Sequence, residues 1–165
     1  MYDLKPLTPE AIPAALEKAM RYRLLNEPGD CESICHDILR IDPDNQAALV
    51  TLLLAITDHF STGYSAGAAR AQEALARLKG DYERAYYAGL ICERRAKALL
   101  GHNLPGTGHD AYELLREAME WFEKAESIRP AGNDDALLRW NACVRIISSN
   151  RLTPRVTEPV GTTSE

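Results

Sequence analysis

This sequence has few aromatic side chains, no excess of positive charge and no long apolar run. Aromatic residues make up 7% of its 165 residues, and lysine and arginine (19) are outnumbered by aspartate and glutamate (24). No segment approaches the roughly 18 continuous apolar residues that mark a membrane-spanning helix. The basic residues form no stripe of the kind that binds phosphate backbones. We therefore expect neither a membrane nor a nucleic acid as a partner.

Cysteine is also sparse, and the first residues lack the apolar core of a secretory signal peptide. The sequence contains four cysteines, Cys31, Cys35, Cys92 and Cys143. We expect free thiols in a reducing compartment rather than a disulfide framework. These features predict a cytoplasmic protein.

Helix-forming residues dominate the chain, because Ala, Leu, Glu and Arg are abundant while β-branched residues are few. Proline, glycine and asparagine clusters interrupt this composition at short intervals. No strand-like alternation is present. The sequence predicts an all-α fold of antiparallel helices with seven helical segments, at 9–26, 30–41, 44–60, 65–79, 82–101, 109–128 and 133–149.

A change in composition divides the chain into two parts. Residues 1–150 carry the helical pattern and are predicted to form one domain. Residues 151–165, RLTPRVTEPVGTTSE, contain two prolines and few large apolar side chains. We predict a flexible C-terminal tail over 151–165.

The stretch CESICH, residues 31–36, allows two interpretations. Closely spaced cysteines beside a histidine are typical of haem attachment or metal sites, but three residues separate Cys31 from Cys35 where haem attachment requires two. Alternatively, the two cysteines lie one helical turn apart and pack as small apolar residues, with His36 on another face. We favour packing, and redox or metal chemistry is the alternative.

Two stretches share one spacing of small and apolar residues before a proline. Ala118, Phe122, Ala125 and Pro130 show this spacing, and Cys31, Cys35, Ile38 and Pro43 repeat it. Matching first-helix positions are Ala19-x2-Tyr22, Leu49-x2-Leu52-Leu53-x2-Ile56 and Ala85-x2-Ala88-Gly89-x2-Cys92. Over residues 12–150 the chain resembles tetratricopeptide repeat proteins. The resemblance implies a right-handed superhelical stack of about three helical hairpins with a C-terminal capping helix.

The resemblance also implies a concave groove lined by the first helix of each repeat, in which the family holds a peptide or a helix of a partner protein. The matching groove positions here are Val50, Leu54, Thr57, Asp58, Tyr86, Tyr87, Leu90, Glu93 and Arg94. The lysine, asparagine and arginine clamp by which one subclass grips a chaperone's C-terminal carboxylate is missing. Taken by itself, the run Glu93-Arg94-Arg95 is typical of solvated surface charge.

The third hairpin is longer than the others, because 29 residues separate Gly89 from Ala118 whereas 12 separate Ala19 from Cys31. We expect each of its helices to be about two turns longer than a standard repeat helix. The extension would either serve as a docking arm or pack on the C-terminal helix.

The C-terminal helix carries more apolar residues than one neighbour requires. Three partners could cover the surplus: the extended hairpin, residues 151–165, or a second copy of the chain in a homodimer. The apolar residues are Ala136, Leu137, Leu138, Trp140, Ala142, Cys143, Val144, Ile146 and Ile147.

The sequence therefore favours a non-catalytic adaptor that binds another protein or peptide, without a cofactor or metal. A narrower version is a small cytoplasmic chaperone for secreted proteins. A helical enzyme or metal-binding regulator is the alternative from another class, and it would use His102, His109 or the cysteines. No catalytic arrangement of residues can be assembled from the spacings.

Overall fold

The computed structural model describes residues 1–61 and 64–156, with the backbone alone for residues 64–66. In this part of the chain a short 3₁₀ helix, Pro9–Ala11, precedes seven α-helices, and there are no strands. The all-α prediction is confirmed, and each predicted segment coincides with one helix. The helices are α1 Ile12–Leu24, α2 Pro28–Ile41, α3 Gln46–Asp58, α4 Tyr64–Ala76, α5 Asp81–His102, α6 Thr107–Ser127 and α7 Asp135–Ser149.

Local chemistry explains where several helices begin and end. Pro28 occupies the first turn of α2, where a missing N–H costs nothing. The side chain of Asn45 caps α3 by accepting a hydrogen bond from the backbone N–H of Ala48 at 2.9 Å. Asn103 ends α5 in the left-handed conformation, with a φ of 48°.

The helices form two rows. Each helix packs on the next along the chain, and further contacts join α1 to α3, α3 to α5 and α5 to α7. Within the described residues, no comparable contacts join α2, α4 and α6. We call α1, α3, α5 and α7 the inner row, and α2, α4 and α6 the outer row.

The buried side chains form two clusters, one mainly from α1–α4 and one from α5–α7. Of all contacts between consecutive helices, the one between α4 and α5 is the smallest. Helix α5 contributes buried side chains to both clusters. The first cluster includes Ala19, Cys31, Cys35, Ile38, Leu49, Leu53, Ile56 and Phe60, and the second includes Ala111, Leu115, Ala118, Phe122, Ala125, Ala136 and Cys143.

The hairpin of α5 and α6 is the longest in the fold. These helices contain 22 and 21 residues, whereas the other α-helices contain 13 to 15. The predicted extension of about two turns per helix is confirmed. Gly89 allows the close approach of the two helices, since a Cβ there would lie 2.7 Å from Cε1 of Phe122.

The long hairpin covers much of the apolar surface of α7. Ala136 and Cys143 are fully buried, and the remaining contacts of α7 with this cluster are made by half-buried side chains. Leu138 is the exception, with 61% of its surface exposed. Packing of the hairpin on α7 therefore covers a large part of the apolar surface of that helix. The half-buried contacts are Trp140, Val144, Ile146 and Ile147.

Part of the segment predicted to be a flexible tail makes contacts with α6. Nδ1 of His109 lies 2.9 Å from the backbone oxygen of Thr153, and Arg155 forms an ion pair with Asp110 at 2.8 Å. Leu152 packs against the second cluster. Residues 151–156 thus lie against the beginning of α6, and residues 157–165 are outside the described residues.

Among the described residues, no helix combines the length and the apolarity that spanning a bilayer requires.

Candidate functional site

The residues predicted to line a groove all lie on the inner row, in α3 and α5. Thr57, Leu90 and Glu93 are buried, so their side chains offer almost no surface to a partner in this structure. The interpretation of Glu93 as a solvated charge is wrong, because α7 covers this part of α5 and Glu93 is 0% exposed. Those that keep some solvent exposure are Val50, Leu54, Asp58, Tyr86, Tyr87 and Arg94.

Asp58 links three helices of the inner row. Nε of Arg23 in α1 donates a hydrogen bond to Oδ2 of Asp58 at 2.8 Å, and Nη1 of Arg94 in α5 donates to Oδ1. The same nitrogen of Arg94 donates to the backbone oxygen of Leu54 at 3.1 Å and to Oγ1 of Thr57 at 2.7 Å. One carboxylate of α3 thus holds an arginine from each neighbouring helix.

Glu93 makes the corresponding link between α5 and α7. Its Oε1 accepts a hydrogen bond from Nζ of Lys97 at 2.6 Å, and both carboxylate oxygens lie 3.5 Å from Nη1 of Arg139. Nε of Arg139 donates to the hydroxyl of Tyr86 at 3.4 Å. Burying a carboxylate is costly unless cations and hydrogen bonds compensate it, and these two cations supply that compensation.

Each of these two carboxylates is shared by two cations, so each cluster has a formal charge of +1. Burial lowers the pKa of Arg94; Asp58 opposes this shift, while the positive charges of Arg23 and Arg139 add to it. Burial also acts to lower the pKa of Arg139, but the hydrogen bond with Tyr86 and the charge of Glu93 outweigh it and raise the pKa. The two clusters are therefore locally positive on a protein of net charge −5, and Asp135 adds a negative charge beside Arg139.

Tyr86 sits at the centre of an aromatic cluster. Its ring lies 5.0 Å from that of Tyr87 in a T-shaped arrangement, 5.8 Å from Tyr82 in a stacked arrangement and 5.8 Å from Phe122. Burial raises the pKa of Tyr87 to about 12, so its hydroxyl stays protonated at neutral pH. These contacts hold the two predicted groove tyrosines in fixed positions at the junction of α3, α5 and α7.

Three cations of the site, Arg23, Lys97 and Arg139, were not among the predicted groove residues. Arg23 could have been found, since it follows Ala19 by four residues just as Thr57 follows Leu53. Lys97 lies one turn beyond Glu93, and its role depends on the burial of that carboxylate. Arg139 lies on α7, which carries no copy of the repeat spacing.

The packing interpretation of CESICH is confirmed. Cys31 and Cys35 are fully buried, whereas His36 is exposed on another face of α2. No cluster of three or more histidine, cysteine, aspartate or glutamate side chains suited to a metal occurs among the described residues. His102 is exposed at the end of α5, and His109 contacts Thr153.

We expect all four thiols to react slowly with a thiol probe in the native protein and rapidly after denaturation. Every cysteine is buried, and burial raises the pKa of Cys92 and of Cys143 to about 12, which leaves little reactive thiolate at neutral pH. Absorbance-monitored labelling with and without denaturant measures this difference. Rapid native labelling of Cys31 and Cys35, or one equivalent of tightly held zinc, would contradict the packing interpretation.

The inner row combines fixed cations with exposed apolar side chains. Met20 and Leu24 in α1 are 54% and 84% exposed, and Leu138 borders a depression shared with Tyr86 and Arg139. We call this surface of the inner row, from Met20 and Leu24 across Asp58 and Arg94 to Leu138 and Arg139, the inner face. Compared with protein-family models, curated proteins and solved structures, the chain has no match.

Proposed function

We propose that the protein is a non-catalytic interaction adaptor of the tetratricopeptide repeat type, which holds a polypeptide partner on the inner face of a superhelical stack. The observation that carries this proposal is the series of contacts from α1 through α3 and α5 to α7. Four helices from distant parts of the sequence thereby contribute to one surface. In stacked helical repeats, such a surface is the usual binding face.

The chemistry of the inner face supports a polypeptide partner. Tyrosine and arginine are the residue types that most often anchor protein interfaces, and Tyr86, Tyr87 and Arg94 are held rigidly here. Exposed apolar side chains lie on the same row at Leu24 and Leu138. A rigid anchor loses little conformational entropy when a partner binds.

Two neighbouring leucines at the C-terminal end of α1 provide a matched test of the face. Leu24 is the last residue of α1 and follows Arg23, which contacts Asp58 of α3, whereas Leu25 borders a separate depression with Lys18 and Arg21. Leu24→Glu should reduce co-purification of the partner by about tenfold or more, because it buries a charge in the interface. Leu25→Glu should leave it unchanged.

A second pair tests the opposite end of the stack. Leu138→Glu on α7 should weaken partner recovery in the same way. Ile128 is 46% exposed and borders helices of the outer row, so Ile128→Glu should leave partner recovery unchanged. Quantitative mass spectrometry of tagged variants from the producing cells gives the readout. Equal recovery from all four variants would show that the inner face is not the binding surface.

The identity of the recovered chains also separates the narrower versions of the proposal. Recovery of unfolded secretory precursors would support a chaperone for secreted proteins. Recovery of an untagged second copy of the chain, lost on Leu138→Glu, would identify the homodimer that is one of the three alternatives for covering α7. Catalysis or metal regulation through His102, His109 or the cysteines is tested separately, by metal analysis of the purified protein.

A further inference from the structure

The cations of the inner face have hydrogen-bonding capacity that the described residues do not use. A guanidinium carries five N–H donors. For Arg94, Nη1 alone makes the bonds to Leu54, Thr57 and Asp58, and Nε and Nη2 have no partner among the described residues. Nη2 of Arg139 likewise has no partner there. An external acceptor could bind these donors without displacing a partner among the described residues.

The cations border two depressions, one where α5 meets the end of α3 and one where α5 meets α7. Arg94 and Lys97 line the first, together with Asp58 at the end of α3. Arg139 lines the second, with Leu138 and Tyr86. Arg94 is the most shielded of the three cations, with 17% of its side chain exposed, compared with 32% for Arg139 and 48% for Lys97. A partly desolvated cation interacts more strongly with an incoming anion than a fully hydrated one does.

We propose, building on the adaptor function above, that the segment held on the inner face is acidic. Aspartate or glutamate side chains of the partner pair with Arg94 and Lys97 in one depression and with Arg139 in the other. An apolar side chain of the same segment packs on Leu138. Guanidinium forks match carboxylates in geometry, and charge-assisted hydrogen bonds of this kind are about twice as strong as neutral ones.

Spaced carboxylates fit this surface better than a dense polyanion does. Asp58 lies in the first depression and Asp135 in the second, so each depression holds a carboxylate beside its cations. A chain with a phosphate at every unit would bring charge against these carboxylates as well as against the arginines. A polypeptide can place its acidic residues opposite the cations and its apolar residues opposite Leu138.

The test selects short random peptides on the immobilised full-length protein and compares the bound sequences with the starting library. We expect enrichment of aspartate and glutamate together with at least one large apolar residue. A selected peptide should bind about tenfold more weakly when its acids are replaced by asparagine and glutamine. Binding should also weaken between about 0.1 M and about 1 M salt, where the screening length falls from about 10 Å to about 3 Å.

Two arginines on α7 give the matched variants. Arg139→Gln removes a cation of the inner face, and Arg145→Gln removes an exposed arginine six residues further along α7, about 120° round the helix. The first should bind the selected peptide about tenfold more weakly, and the second should bind it normally. Circular dichroism verifies that both remain folded. If Arg139→Gln unfolds, Lys97→Gln takes its place, since that side chain is half exposed.

The failures of the two proposals are distinguishable. Selected peptides that are neutral or basic but lose binding on Leu138→Glu would overturn the acidic preference and leave the adaptor intact. A phosphopeptide or RNA that binds more tightly than its carboxylate counterpart would also overturn the acidic preference. If no peptide is enriched, the proposal of an acidic partner fails, and the recovery of partners by the Leu24→Glu and Leu138→Glu variants decides whether the adaptor function fails as well.

Discussion

A Phe122→Ala variant is expected to lose about 3–5 kcal/mol of unfolding free energy, the range for truncating a large buried aromatic side chain. Phe122 is fully buried, contacts the ring of Tyr86 and lies directly against Gly89. Urea unfolding followed by circular dichroism measures the loss.

Two glycines of α5 provide the control for this packing. A methyl group at Gly89 would lie 2.7 Å from the Phe122 ring, so Gly89→Ala should destabilise by about 1–3 kcal/mol although alanine favours helix by about 1 kcal/mol. A methyl group at Gly101 would meet no atoms within 4 Å, and Gly101→Ala should be neutral or slightly stabilising. Equal stability of the two variants would contradict the close approach of α5 and α6.

A Glu93→Ala variant is expected to lose about 3 kcal/mol, near the lower end of the range for breaking a buried ion pair. The loss is not larger because Lys97 and Arg139 are partly exposed and can regain water once the carboxylate is gone. The loss is still substantial because Glu93 connects α5 to α7, and within the described residues Arg139 would keep only its bond to Tyr86.

A double-mutant cycle isolates this interaction from the packing of Glu93. Glu93→Ala and Arg139→Ala are measured singly and together, and the sum of the single effects should exceed the effect of the double variant. Glu120→Ala, which truncates an exposed carboxylate of α6, is the control and should leave stability unchanged. If Glu93→Ala behaves like Glu120→Ala, the buried ion pair does not hold α7.

The helices and the long hairpin could be predicted because they depend on local sequence. Breakers such as Pro28 and Asn45 act on their own helix ends, and the distance from Gly89 to Ala118 directly counts the residues of two helices and one loop. Gly89 could be predicted as well, since the repeat spacing places it where the helix of Phe122 crosses.

Three of the four ion pairs described for the inner face could not be predicted, because they join residues 35 or more positions apart. Arg23 meets Asp58, and Arg139 meets Glu93, only after the helices have packed. The sequence pattern gives the face of Glu93 but not the helix that covers it. The contacts of Leu152 and Arg155 with the long hairpin were missed for the same reason, since composition describes a tail without its neighbours.

Photo-crosslinking tests the central claim, that the inner face holds the partner, most directly. A photoreactive side chain is placed in turn at positions 24 and 138 on the inner face, and at positions 25 and 128 away from it. We expect adducts with a partner polypeptide, or with a selected peptide, from positions 24 and 138 and none above background from the other two. Adducts from positions 25 or 128 without any from 24 or 138 would contradict the claim.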